Sequence, residues 1–245
     1  MQIPHDVRTG LMPTSKLRVA LNYGNFLLVT KRAPTHGGVA PDLGREIARR
    51  LGAELEFVGY ENAGLAADGA KNDEWDVAFI GAEPARAGDI AFTAAYVEIE
   101  ATYLVPPGSP IQSIAEVDRP GVRIATAARA AYTLYLERTL EHASLVLAEG
   151  LPGSFELFAK DKLDVLAGLK PRLLKDAPRL PGARILEGRF TAIQQAMGTP
   201  KSRGAATAAW LRAFAEEAKS SGLVAELIAR HAVQGLSVAP PATSD

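Results

Sequence analysis

Apolar residues recur along this chain in two rhythms, one of strand length and one of helical period. Leu17 to Leu21 (LRVAL) is a short apolar run that predicts a strand. A polar, glycine-containing loop follows, and then Leu43, Ile47 and Leu51 return at helical spacing. Pro41 falls in the first turn of that helix, and Gly52 stops it. Glu54 to Val58 alternates as a strand, and residues 62–71 form a weaker helix broken by Gly64 and Gly69. Trp75 to Ile80 (WDVAFI) reads as a buried strand. Strand, helix, strand, helix, strand is the order of a parallel α/β sheet.

The order repeats after Pro106, Pro107, Gly108 and Pro110 punctuate the chain. Residues 122–125, 144–147 and 163–167 predict strands, with helices over 129–140 and 155–160 between them. Residues 201–231 read as mostly helical, with a break at Gly222. Pro240, Pro241 and the polar end read as a frayed tail. The pattern predicts two α/β lobes whose strand ends carry loops and helix N-termini, where such sheets bind ligands.

Composition narrows the function classes. Hydrophobic residues make up 47% and charged residues 22%, as in a globular protein. The 27 basic and 28 acidic residues nearly cancel, so no global charge favours nucleic acid, and none is expected as a partner. With no cysteine, disulfides, thiolate chemistry and cysteine-ligated zinc are excluded. His5, His36, His142 and His231 are widely separated, so no metal is expected. No GxSxG, P-loop or GxGxxG motif occurs, so no catalytic group and no cofactor is expected. The N-terminal stretch lacks the basic-then-apolar pattern of a secretory signal, and no apolar run approaches a membrane span.

An ordered series of short matches then carries a resemblance. Gly38-Val39-Ala40-Pro41-Asp42-Leu43 is followed by Ile47-Ala48 and Leu51-Gly52, then by Trp75-Asp76-Val77-Ala78. Pro84-Ala85-Arg86, Ala91-Phe92-Thr93-Ala94-Ala95-Tyr96, Gly121 to Ala125 and Lys162-Leu163-Asp164-Val165 continue it. From about Leu17 to Val233 the chain resembles the periplasmic solute-binding proteins of polar amino-acid transporters, solute-binding family 3. The resemblance implies an α/β, two-lobed periplasmic-binding-protein-like (type II) fold with a central ligand cleft and two crossover strands. Residues 16–97 and 196–236 would form a discontinuous first lobe and 98–195 the second, with 1–15 and 237–245 as flexible tails. Ligand would close the lobes about hinges near 96–105 and 189–197.

The resemblance also nominates site residues. Arg86 matches an arginine that grips the ligand carboxylate with its planar fork; the competing reading is a solvated helix residue paired with Glu83. Glu83 is read as a cap before Pro84, or else as a partner for a cationic group on the ligand. In the first strand-to-helix loop, Phe26 is a pocket wall or a core residue, and Asn25 a ligand contact or a turn former. Arg129 and Ala130 align with a Gly-Thr or Gly-Ser pair, leaving backbone donors and a helix N-terminus to meet an anion. Lys170 falls where relatives bind the α-ammonium with an aspartate, or is a solvated helix residue; the exchange predicts that deaminated carboxylates bind better than amino acids. Gln194 and Gln195 on the second crossover strand point to opposite sides, so one of them would line the site.

These readings converge on a periplasmic solute-binding protein of an ABC importer, not an enzyme, holding a small carboxylate-bearing ligand and meeting a transporter permease. With no signal pattern in the chain as given, a cytoplasmic location stays open. The alternative is an enzyme resembling cyclohexadienyl dehydratases, which use an acidic residue in the second lobe; Leu169-Lys170-Pro171-Arg172 offers none there. The effector-binding half of a transcription regulator ranks last, because too few residues precede Leu17 for a DNA-binding helical motif.

Overall fold

The computed structural model describes residues 3–243. Its chain divides into two compact units, the described part of Met1–Glu98 with Gln194–Asp245, and Ile99–Ile193.

The first unit opens with helix α1 (His5–Leu11), then β1 (Lys16–Asn22), α2 (Val39–Leu51), β2 (Glu54–Tyr60), α3 (Ala63–Asp68) and β3 (Val77–Gly81). Strand β1 pairs in parallel with β2 on one side and β3 on the other. Helix α2 follows its apolar spacing, with Leu43, Ile47 and Leu51 fully buried. It ends at Gly52, whose left-handed φ of 59° a side chain would strain. A single 3-10 turn, Pro84–Arg86, leads into β4 (Ile90–Val105), which begins in this unit and ends in the next.

The second unit follows the same grammar: β5 (Arg123–Ala127), α4 (Ala131–Thr139), β6 (Ser144–Ala148), α5 (Gly150–Lys160), β7 (Val165–Leu169), α6 (Lys170–Asp176) and the short β8 (Arg184–Ile185). Strand β5 lies between β6 and β7, parallel to both, and the later half of β4 runs antiparallel to β7. Its core gathers Leu104, Ala125, Phe155, Phe158, Leu163, Leu166 and Leu173.

Strand β9 (Thr191–Pro200) returns the chain to the first unit and pairs antiparallel with β3. Helices α7 (Ala205–Ser220) and α8 (Leu223–Arg230) and strand β10 (Ser237–Val238) complete that unit. The helical break falls at Gly222, in the left-handed conformation. One face of this sheet buries Val19, Leu21 and Phe79 against α2, α7 and α8 through Leu43, Ile47, Phe214 and Leu227. The other face packs Ala20, Ala78 and Ile80 around Trp75 and Ala66. Below β3, the fully buried Asp76 carboxylate accepts from the Arg18 amide and from the Arg18 and Arg203 guanidiniums, each at 2.8 Å.

Both expected tails need correction. Residues 5–11 are helical because Val7 and Leu11 bury themselves in the same core as Leu211. At the other end, β10 pairs with Val97 and Glu98, the Ala239 amide donates to Tyr96, and Lys219 Nζ donates to the Pro240 carbonyl at 2.7 Å. Met1, Gln2, Ser244 and Asp245 lie outside the described residues.

Candidate functional site

In the first unit the candidates Glu83 and Arg86 follow the carboxyl end of β3, and Gln195 pairs with its last residue. Arg86 sits on the turn that follows that strand and is 6% exposed. Its Nη1 donates to the Gly81 carbonyl at 2.7 Å, and its amide donates to the Glu83 carbonyl. The solvated reading of Arg86 is therefore corrected: a guanidinium stays charged and is buried only where something repays its desolvation. Glu83 is also buried, but its side chain makes no capping hydrogen bond to the turn, which removes the capping role. The chain is extended at Glu83 (φ −134°, ψ 142°), and Pro84 sets the turn after it.

Gln194 and Gln195 follow on β9. Gln194 is exposed, its Nε2 donates to Glu98 Oε1 at 2.9 Å, and its carbonyl accepts from the Ala82 amide. Gln195 points the other way, is 5% exposed and stands directly opposite Gly81 in the ladder. In the β1–α2 loop, the Asn25 side-chain oxygen accepts from the Leu27 amide, and its carbonyl accepts from the Leu28 and Val29 amides. Asn25 thus shapes the turn that carries the half-buried Phe26.

In the second unit the candidates follow the carboxyl ends of two adjacent parallel strands, β5 and β7. Arg129 is exposed and holds a left-handed φ of 59°, and Ala130 is the N-cap of α4, where no side chain caps the helix. Lys170 opens α6, and its Nζ donates to Glu100 Oε2 at 2.8 Å. Arg189 approaches the other oxygen of Glu100 at 3.7 Å. The Lys170 hydrogen bond holds the Glu100 carboxyl below the usual glutamate range. Lys170 is a partly exposed helix residue whose charge is paired with Glu100. Tyr103, Phe190 and Tyr135 stack beside one another in this unit, with ring centroids 4.5 and 6.1 Å apart.

Glu100 is the residue that sequence reasoning missed. Its signal was the pair Glu98 and Glu100 at alternate positions of an apolar strand, where two carboxylates on one face call for partners. Among the described residues, no group of three or more His, Cys, Asp or Glu side chains is placed to hold a metal ion. No helix among them is long and apolar enough to cross a membrane.

Comparison with solved structures shows what this arrangement is similar to. The solute receptor for L-cysteine of Neisseria gonorrhoeae aligns with 93% of this chain and 95% of its own, at 16% identity and a TM-score of 0.75. A binding component of an ABC transporter from Wolinella succinogenes, complexed with lysine, aligns over 89% and 95% at 20% identity and a TM-score of 0.73. An ancestral amino acid-binding protein, a precursor of cyclohexadienyl dehydratase, aligns over 91% and 98% at 18% identity and a TM-score of 0.72. At these identities the likeness establishes the fold, that of the type II periplasmic binding proteins. Comparison with curated protein sequences finds no match. The family model for bacterial extracellular solute-binding proteins, family 3, matches residues 17–234, and the chain belongs to that family.

Proposed function

We propose that this protein is the receptor of an ABC importer, working outside the cytoplasmic membrane, and that it delivers a carboxylate-bearing solute of amino-acid size to its permease. One observation carries the reading: Arg86, a buried guanidinium anchored to a backbone carbonyl at the carboxyl end of β3. A fixed planar fork suits a carboxylate, and a strand's carboxyl end is where α/β sheets receive ligands. The family and its structural neighbours that bind lysine, cysteine and other amino acids support the same class. Weak amino-acid binding was expected because an aspartate is absent and an ammonium stands near; Glu100 offsets the second of these, so amino acids belong in the first panel of ligands.

A thermal-shift screen of L-amino acids, 2-hydroxy acids and dicarboxylates should give a positive shift with at least one. Calorimetry should then show Arg86→Ala weakening that ligand by about 2–5 kcal/mol, the cost of unpairing a desolvated charge. Unchanged affinity would remove Arg86 from the site. Turnover of prephenate or arogenate is expected to be absent. Glu100, the residue before the Ala101 that pairs with the end of β7, has its carboxyl lowered by the Lys170 hydrogen bond, which disfavours a role as proton donor.

A further inference from the structure

One buried polar atom beside the Arg86 anchor has no partner. Gln195 Oε1 is buried and accepts no hydrogen bond. Opposite Gln195 stands Gly81, the same residue whose carbonyl holds Arg86 Nη1. Paired residues of an antiparallel ladder project to one face, and Gly81 has no side chain to fill it. An unpaired buried acceptor destabilises a fold, and an apolar side chain of similar size would avoid that cost. The next residue on this face of β9, Met197, is such a side chain and lies in the core. The hydroxyls of Tyr96 and Thr199 are also buried without partners. Both belong to fully buried residues, whereas Gln195 lies at the Arg86 end of β9.

We propose that Gln195 selects the ligand: its Oε1 accepts a hydrogen bond from an N–H or O–H group adjacent to the carboxylate that Arg86 holds. The first unit then offers a donor and an acceptor side by side, which 2-amino and 2-hydroxy acids satisfy and unsubstituted carboxylates do not. A neutral acceptor serves an ammonium and a hydroxyl alike, so this choice requires no carboxylate from the protein. The inference rests on the receptor reading above.

Gln195→Met is the test variant, with circular dichroism as a check on folding. Without ligand its melting midpoint should rise by roughly 2–4 °C, because an unpaired acceptor has been removed. A fall would show the carboxamide bonded within the fold and would overturn the proposal whatever the ligand. The binding probe is the L-amino acid that gives the largest thermal shift, set against its 2-hydroxy and unsubstituted analogues. The wild type should prefer both substituted forms to the unsubstituted one by about tenfold or more, and Gln195→Met should lose that preference while still binding the carboxylate. Retained discrimination in Gln195→Met, with binding abolished in Arg86→Ala, would overturn the role of Gln195 and leave the receptor reading standing. If no carboxylate binds at all, the receptor reading falls, and the selection proposed for Gln195 falls with it.

Discussion

Arg129 adopts a conformation that a side chain resists. Its φ of 59° lies in the left-handed region, which costs a non-glycine residue about 1–2 kcal/mol. Glycine would relieve that cost, offset in part by its greater freedom when unfolded. Arg129→Gly is therefore expected to raise the midpoint of ligand-free protein by roughly 2–4 °C. If the Arg129 charge serves the ligand, affinity should fall in the same variant, and melts with and without ligand separate the two effects. A lower midpoint without ligand would show that the Arg129 side chain holds the fold. Sequence nominated Arg86 because it lies inside a short contiguous match, and Arg129 because it follows the Gly121 to Ala125 match just before the next helix. It reached the opposed Gln194 and Gln195 because strand alternation is local. It did not reach the Lys170–Glu100 pair, whose members stand 70 residues apart and meet only because β4 lies alongside β7.

Helix α2 shows how local pairs and tertiary contacts combine. Glu46 accepts from Arg49 at 2.7 Å and from Arg50 at 2.9 Å, and Arg50 reaches across to Glu217 on α7 at 2.8 Å. The Arg49 hydrogen bond, aided by Arg50, lowers the Glu46 carboxyl from 4.5 to about 2. A carboxyl lowered by folding contributes stability that is full above its unfolded value and is lost as pH falls through the folded one. The Glu46 contribution is thus complete above about pH 4.5 and disappears toward pH 2. Glu46→Gln should flatten the fall of melting midpoint with acid across that window; an unaltered profile would mean that these pairs add nothing. The helix itself was legible from Leu43, Ile47, Leu51 and Gly52, as was the break at Gly222, since period and glycine act within a few residues. Helix α1 was not. Only two of its residues are buried, and they are held by a core that includes α7 and α8, which lie far along the chain. The close approach of α1 and α7 shows at Gly10, where an added Cβ would collide with Thr207.

The first unit is assembled from two distant stretches of chain, while the second is one continuous stretch with a core of its own. Val19 and Ile47 from the early stretch share a core with Leu211, Phe214 and Val224 from the late one. The buried Asp76 makes the same join electrostatically, between Arg18 and Arg203. Damage to the late stretch should therefore open the early one, and the intervening unit should keep its own protection if the two cores are energetically separate. Phe214→Ala tests this, since emptying a fully packed phenylalanine site costs about 3–5 kcal/mol. Hydrogen exchange should then quicken together at the amides of α2, β1 and α7, while β5 and β7 exchange as in the wild type. Equal loss of protection in β5 and β7 would show instead that the chain unfolds as one unit. A saturating ligand should restore protection to the first unit by mass action, worth about 2.7 kcal/mol at a hundred times the dissociation constant. That restoration should be absent in the double variant that also carries Arg86→Ala, because stabilisation by ligand requires that the ligand bind.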